Sequence, residues 1–262
     1  MLSTAYVPGV PNWLDLGTPD TDAAVAFYTT LFGWEHRSAG PEAGGYGFFL
    51  YDGKVVAGVG PLTDEGAASA WTVYFHTPDA DATTKAVEQA GGAVRVAPMD
   101  VFDFGRTAAF TDPTGADFAV WQPARTPGGL EAVGVPNSLA WTELYTTDAA
   151  AAGAFYRSVF SWQITEQDVG GGITYAVLAP AIGGSDSEHG GLMQLQKVNL
   201  DAGATSEWHP YFAVADCDIT SAAATGAGAT LLIPPMDAGN VGRIAMFLDP
   251  AGAAFAILTP RP

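Results

Sequence analysis

The sequence has a single cysteine, few basic side chains and no long apolar run. Cys217 is the only cysteine among 262 residues, so the chain can form neither an intramolecular disulfide nor a metal site of several thiolates. Lysine and arginine total 10 against 28 aspartates and glutamates, a net charge of -18 that disfavours nucleic acid and anionic membranes. Apolar runs fall short of the roughly 18 to 20 residues that span a bilayer, and the first residues lack the features of a signal peptide. We therefore expect a cytoplasmic protein with neither nucleic-acid nor membrane partners.

The chain contains an internal repeat. Residues 13–16 (Trp-Leu-Asp-Leu) recur at 141–144 as Trp-Thr-Glu-Leu, an offset of 128. The turn sequence Asp-Pro-x-Gly at 112–115 recurs at 249–252, an offset of 137, so about nine extra residues lie in the second half, around 181–191. Self-similarity at this many ordered positions predicts a duplicated domain. The predicted divisions are a first domain over 8–124, a linker over 125–135 and a second domain over 136–262.

Each half divides again into two similar segments. Apolar residues recur at helical spacing after Asp20 and after Asp148, and further helices are expected near Asp79 and Asp216. A short run with period-two alternation precedes each helix, and several β-rich segments follow it. The predicted order is strand, helix and three strands, four times over. This order defines an α+β fold in which helices cover one face of mixed sheets.

Two motifs carry a family resemblance. They are the helix entry Asp-x-x-x-Ala-x-x-Phe-Tyr-x-x-x-Phe-x-Trp, which begins at Asp20, and the Asp-Pro-x-Gly turn before the last strand of each half. With the element order, they make the chain similar to the vicinal oxygen chelate superfamily, which includes glyoxalase I, extradiol dioxygenases and bleomycin-resistance proteins. The chain most resembles the tandem-domain glyoxalase-like proteins of actinobacteria, including a secreted mycobacterial antigen and Streptomyces proteins labelled hydroxylases. The resemblance implies two tandem domains, each of two βαβββ modules that form a half-open barrel with the site in its concave interior.

The resemblance also implies where a metal would be held. Metalloenzymes of the superfamily use two histidines and a glutamate, and the matching positions here are Trp13, Thr72 and Ala119 in the first half and Trp141, His209 and Ala256 in the second. Indole, hydroxyl and methyl groups cannot replace imidazole and carboxylate as ligands. We therefore predict that the chain uses neither a metal nor another cofactor.

Strand alternation predicts which side chains line the two clefts instead. Residues two apart share a face of a strand. The predicted first cleft carries Trp13, Asp15, Thr72, Tyr74 and His76, and the predicted second cleft carries Trp141, Glu143, Tyr145, His209 and Tyr211. Aromatic walls with a few convergent polar groups are typical of small-molecule sites.

Several of these residues have two interpretations. The predicted catalytic groups are Glu143 with His209 and Asp15 with Tyr74, but the acids could equally fix packing through hydrogen bonds. His209 is either a general base with Glu143 as its partner or a remnant that hydrogen-bonds within the pocket.

Other candidates lie outside these strands. Arg106 and Arg243 could anchor an anionic group, or pair with an acid such as Asp112 or Asp249. Met99 and Met236 could cap the cleft mouths or fill the core. His189 is expected to lie in a loop and to be solvated.

Three functions remain open at this stage. The first is a metal-independent isomerase, lyase or cyclase of secondary metabolism or detoxification. The second is a non-catalytic protein that sequesters an antibiotic-like ligand. The third is a metalloenzyme that uses His209, Glu143 and a further ligand such as His189 or Gln194. A monomer is favoured because the duplication can supply within one chain the pairing that single-domain relatives obtain by dimerising; a homodimer stays possible.

Overall fold

The computed structural model describes residues 2–62, 66–124, 128–168, 173–183, 187–239 and 241–261. Part of the predicted linker, residues 125–127, lies outside these ranges. Among the described residues, no helix is both long enough and apolar enough to cross a membrane.

The predicted order of elements is confirmed in both halves. The first half contains β1 (Pro11–Thr18), α1 (Thr21–Phe32), β2 (Glu35–Ser38), β3 (Gly47–Tyr51), β4 (Lys54–Pro61), β5 (Ala70–His76), α2 (Ala80–Gln89), β6 (Ala93–Val101), β7 (Gly105–Thr111) and β8 (Asp117–Pro123). The second half contains β9 (Leu139–Thr146), α3 (Ala149–Phe160), β10 (Gln163–Asp168), β11 (Thr174–Ala179), β12 (Gly190–Gln194), a short α4 (Lys197–Asp201), β13 (Glu207–Ala213), α5 (Cys217–Gly226), β14 (Thr230–Ala238), β15 (Gly242–Leu248) and β16 (Ala254–Pro260). Each half is thus two βαβββ modules, and the fold is α+β.

Local sequence explains where the four longer helices begin. The side chain of Asp20 accepts a hydrogen bond of 2.9 Å from the amide of Ala23, and Asp79, Asp148 and Asp216 cap their helices in the same way. An aspartate at this position satisfies an amide that the first turn leaves without a partner. Gly33 ends α1 at a φ of 68°, a left-handed conformation that favours glycine.

The strands of each half form one eight-stranded sheet. The strand orders are β2-β3-β4-β1-β5-β8-β7-β6 and β10-β11-β12-β9-β13-β16-β15-β14. Both sheets are mixed: β1 runs parallel to β4 and β5 parallel to β8, whereas the hairpins are antiparallel. Each sheet is open, because its first and last strands are separate edges.

The compact units do not follow the two halves. One unit comprises residues 1–13, 73–129 and 141–209, and the other comprises 14–72, 130–140 and 210–262. The first therefore joins the α2 module to the α3 module, and the second joins the α1 module to the α5 module. The domain boundaries expected from the repeat stay a prediction.

Each unit has an aromatic core with one buried polar chain. In the second unit, the Trp71 indole donates to the Tyr28 oxygen at 2.9 Å, and the Tyr28 hydroxyl donates to Asp249 Oδ2 at 3.1 Å. Burial raises the pKa of Tyr28, and the Asp249 charge raises it further, so the hydroxyl stays protonated. In the first unit Trp208 donates to Tyr156 at 2.8 Å, and Tyr156 lies against Asp112. The aspartate of each Asp-Pro-x-Gly turn thus faces a helix from the other half.

Candidate functional site

A buried carboxylate lies at the centre of β9. Glu143 is only 7% exposed, and its backbone lies opposite Gly191 of β12 in the sheet register. The hydroxyl of Tyr175, on β11, donates a hydrogen bond of 3.2 Å to Glu143 Oε2. The alternation along β9 turns Leu144 to the opposite, fully buried face. Glu143 therefore lies on the inner face of the strand, as predicted, and its carboxylate has a hydrogen-bond donor in the Tyr175 hydroxyl.

Trp141 and Tyr175 form a short polar chain that ends on Glu143. The Trp141 indole N–H donates to the Tyr175 oxygen, and Tyr175 donates in turn to the carboxylate. Burial raises the pKa of Tyr175, with a further increase from the Glu143 charge, whereas the bond from Trp141 lowers it. Because the net shift is upward, the phenol stays protonated at neutral pH and remains a donor.

Gly191 provides the space for this arrangement. A Cβ atom at Gly191 would overlap with the Tyr175 hydroxyl oxygen. A residue with a side chain at this position would push the phenol away from Glu143. The hydrogen bond between Tyr175 and Glu143 thus depends on the absence of a side chain at position 191.

His209 lies on β13, the neighbour of β9 in the sheet. It is 8% exposed, and its ring centroid lies 5.0 Å from that of Tyr145. Its Nε2 lies 3.1 Å from Oε2 of Glu207, within ion-pair distance. The direction is not that of a hydrogen bond, and neither ring nitrogen has a hydrogen-bond partner among the described residues. Glu143 was the predicted acid for His209, whereas the acid at ion-pair distance is Glu207.

The first half repeats the carboxylate and phenol pair. Asp15 of β1 accepts a hydrogen bond from the Tyr46 hydroxyl, and its backbone lies opposite Gly58 of β4. A Cβ atom at Gly58 would collide with both the Tyr46 and the Asp15 side chains. Thr72 lies half-buried on β5 in the same compact unit.

The other predicted residues of the first cleft belong to the other unit. Trp13, Tyr74 and His76 are all half-buried, as the alternation predicts. Tyr74 lies opposite Ala119 and His76 opposite Trp121, on the adjacent strand β8. Burial lowers the pKa of His76, so its imidazole is neutral at neutral pH.

Four residues of these sites and one of their neighbours were not predicted from the sequence. The phenols Tyr46 and Tyr175, the glycines Gly58 and Gly191, and the half-buried Trp121 were not singled out. A signal for the first four exists in the repeat: each half has a tyrosine before or on its third strand and a glycine on its fourth. Without the register between strands, this pairing could not be connected to Asp15 and Glu143.

The two arginines are held by acids on the protein surface. Arg106 pairs with Asp100 at 2.7 Å and with Asp81 at 3.2 Å, and Arg243 pairs with Asp218 at 2.6 Å and with Asp237 at 3.3 Å. Hydrogen bonds to Asp100 and to Asp218 raise the arginine pKa values.

The expected arginine partners, Asp112 and Asp249, have another role. Each instead accepts backbone hydrogen bonds within its own turn, such as that from the Thr114 amide to Asp112 at 2.7 Å. Their carboxylates therefore stabilise the turn before the last strand. The predicted ion pairs of Asp112 and Asp249 with the two arginines are not formed.

The remaining predicted ligand-binding residues differ in exposure. Met99 on β6 and Met236 on β14 are 50% and 48% exposed, so neither fills the core. Tyr211 is 4% exposed and lies opposite Ala256 on β16.

The residues present do not fit the family's metal. Among the described residues, no group of three histidine, cysteine, aspartate or glutamate side chains could hold an ion. Gln194, a further ligand considered above, accepts from the Ala149 amide at 2.8 Å and donates to the Thr147 carbonyl at 2.9 Å, so its side chain caps α3. The donor chemistry at Trp141, His209 and Ala256 leaves a single imidazole, which is too few ligands for a tight site.

The fold and these sites define a tandem βαβββ protein with a carboxylate and phenol pair in each half. Residues 11–120 match the model of the Glyoxalase/Bleomycin resistance protein/Dioxygenase superfamily, and residues 141–258 match that of the Glyoxalase-like domain. The chain belongs to this superfamily.

Relatives and solved structures agree with this assignment. The chain is 41% identical to the anthracycline biosynthesis protein DauV of Streptomyces sp. (strain C5), over 98% of this chain and 96% of that protein. It is 37% identical to a Mycobacterium tuberculosis protein provisionally named glyoxylase CFP32, over 98% and 97% of the two chains. The Mn(II)-bound glyoxalase from Novosphingobium aromaticivorans has a TM-score of 0.64 at 18% identity, over 97% of this chain and 83% of that one, which shows the shared fold.

Proposed function

We propose that the chain binds a small, mostly apolar organic ligand and catalyses a metal-independent proton transfer on it, as an isomerase, lyase or cyclase does. Glu143 is the proposed base, and His209 is the second proposed titratable group of the same site. Asp15 forms the corresponding group in the first half. The observation that carries the proposal is the buried Glu143 carboxylate held by the Tyr175 hydroxyl at 3.2 Å.

The proposed chemistry follows from the surroundings of Glu143. A buried carboxylate is costly unless it is hydrogen-bonded, and Tyr175 supplies such a bond while remaining protonated. In the proposed step, the carboxylate takes a proton from a carbon next to a ligand carbonyl and returns it to another ligand atom. No electrons are exchanged with an outside reagent. A positioned acid or base of this kind contributes roughly 10²–10⁴-fold to the rate.

The relatives guide the choice of ligand class. DauV is named for anthracycline biosynthesis, and as a chemical class anthracyclines are polycyclic aromatic molecules with quinone and phenol oxygens. Trp141 and Tyr145 lie half-buried beside Glu143 on β9, where flat rings can stack on such a molecule. The proposed ligand is therefore a polycyclic aromatic ketone or quinone.

Two probes test binding and chemistry separately. Binding of dihydroxyanthraquinone is followed by its visible absorbance, and exchange of the acidic C–H protons of tetralone into heavy water is followed by NMR. The variant Glu143→Gln keeps the shape of the side chain but cannot take up a proton. The expected result is that exchange falls to the rate that the Asp15 site alone sustains, while the anthraquinone affinity changes by less than about tenfold. Glu166→Gln, at an exposed position on β10, is the matched control and is expected to match the wild-type protein in both assays.

The outcomes distinguish the proposal from its alternatives. Exchange by Glu143→Gln at the wild-type rate would exclude Glu143 as the base. Tight anthraquinone binding by the wild-type protein without any exchange above background would overturn the catalytic proposal in favour of a ligand-sequestering protein. The Asp15 and Tyr46 pair supports this second candidate. The first half repeats the carboxylate and the phenol, but Thr72 stands at the position that matches His209, so the repeated feature does not include the imidazole.

A further inference from the structure

His189 is a fully buried histidine outside the site described above. Its residue is 0% exposed, and its ring packs against Trp162, with centroids 4.9 Å apart, and near Phe75, at 6.4 Å. Its backbone is fixed on both sides, since its amide donates to the Leu178 carbonyl and its carbonyl accepts from the Thr142 amide. His189 lies in a loop, as expected, but the expectation that it is solvated is wrong, because tertiary packing buries its side chain.

The imidazole has no hydrogen-bond partner of its own. Neither Nδ1 nor Nε2 of His189 makes a hydrogen bond with any residue that the structure describes. Leaving a buried polar group in this state is energetically unfavourable. An imidazole that packing holds in place without a partner can form a hydrogen bond with a molecule bound beside it.

The repeat shows that a histidine is not needed here for packing. Gly58 lies opposite Asp15 in the first half, and Gly191 lies opposite Glu143 in the second. Two residues earlier, the first half has Val56, which is also 0% exposed. An apolar side chain fills the equivalent position, so the imidazole is a specific feature of the second half.

His189 lines a cavity of about 280 Å³. The other described residues that line it are aliphatic or small and carry no charge, among them Leu2, Val7, Val10 and Ile182. Ile182 is 70% exposed and marks the side open to solvent, whereas Leu2 and Val10 are buried. Three described residues of the wall, Ile182, Gly183 and Ser187, belong to the insertion that the first half lacks.

We propose that this cavity is a second small-molecule site, which takes a neutral, mainly apolar ligand with one hydroxyl or carbonyl group, and that His189 forms the hydrogen bond to that group. A volume of about 280 Å³ suits a monocyclic phenol or a short alcohol or ketone and lies at the lower end of ligand-pocket sizes. The site is distinct from Glu143, which lies on the neighbouring strand among other partners.

The charge state of the imidazole supports a neutral ligand. Burial lowers the pKa of His189 to about 3, against an opposing contribution from its own backbone, so the ring is uncharged at neutral pH. An uncharged imidazole offers one donor and one acceptor but no attraction for an anion. The net charge of -18 also disfavours anionic ligands.

Three probes of similar size test the site: phenol, toluene and benzoate. Affinities are measured by ligand-observed NMR, and the nitrogen-15 chemical shifts of the His189 ring are recorded in the same titrations. Phenol is expected to bind the wild-type protein about three- to tenfold more tightly than toluene, and to shift the ring nitrogens. Benzoate is expected not to bind. In His189→Leu, the preference for phenol over toluene should disappear.

Two further variants separate this site from the first one. Ile182→Trp places a large side chain at the exposed edge and is expected to abolish binding of both phenol and toluene. Glu143→Gln is expected to leave phenol binding unchanged. Equal phenol affinity in the wild-type protein and His189→Leu would overturn the proposal. Ring nitrogens of His189 that do not respond to saturating phenol would do so as well.

Discussion

Replacement of His189 by leucine should remove a defined part of the acid sensitivity of the fold. The unfolded imidazole titrates near 6.5, whereas burial lowers the folded-state pKa to about 3. Because the pKa of His189 is lower in the folded protein than in the unfolded chain, protonation favours the unfolded chain. The free energy of unfolding is therefore at its full value well above pH 6.5, and it falls progressively as the pH is lowered toward 3. Between about pH 7.5 and about pH 5.5, this single residue should cost the wild-type protein about 1.4 kcal/mol of unfolding free energy.

Urea unfolding followed by far-UV circular dichroism measures this difference. The chosen pH range stays above the isoelectric point of about 4.2, where the chain keeps its net negative charge. The wild-type protein and His189→Leu are compared at both pH values, so that the titration of the many carboxylates cancels. The control variant His36→Leu lies at an exposed position of the edge strand β2 and should keep the wild-type pH dependence. If the His189→Leu stabilities run parallel to the wild-type values, the imidazole is not buried in a neutral form and the reasoning fails.

Three further changes have expected outcomes. Tyr28→Phe removes the hydroxyl between Trp71 and Asp249, so it should lower the free energy of unfolding by about 1–3 kcal/mol in urea titrations; an unchanged midpoint would contradict the role of this buried chain. Gly191→Ala forces the Tyr175 hydroxyl away from Glu143 and should weaken dihydroxyanthraquinone binding, whereas Gly226→Ala, which meets open space at the end of α5, should not. Arg106→Gln removes surface ion pairs and should leave both the urea midpoint and the anthraquinone affinity unchanged; a clear loss of affinity would show that this arginine anchors the ligand.

The fold could be predicted because its signals are local or repeated. Helix starts at Asp20 and Asp148 follow from a capping side chain and the apolar spacing after it, within one or two turns of chain. The inner strand faces follow from alternation alone, which placed Trp13 and Asp15 on the half-buried side of β1. The duplication confirmed each assignment by repeating it.

The partners of the site residues depend on contacts that a single sequence does not encode locally. Tyr175 meets Glu143 across 32 positions of the chain, and Arg106 meets Asp81 across 25. His189 stands in a polar stretch beside Glu188 and Gly190, so its composition predicts a solvated loop. Its burial results from the rings of Phe75 and Trp162, which lie far from it in the sequence.

The composition of the two compact units affects how the protein is made. One unit needs residues up to 209, and the other needs residues up to 262, although it also includes 14–72. During synthesis, the α1 module therefore leaves the ribosome long before the α5 module with which it packs. The hydrogen bond from Tyr28 to Asp249 cannot form until a further 221 residues have been synthesised. Nascent chains must keep the apolar face of α1 from associating wrongly during that interval, and contacts of such long range slow folding. Dependence on a chaperone during translation, or a tendency to aggregate when synthesis stalls in the second half, is the expected biological consequence of this order.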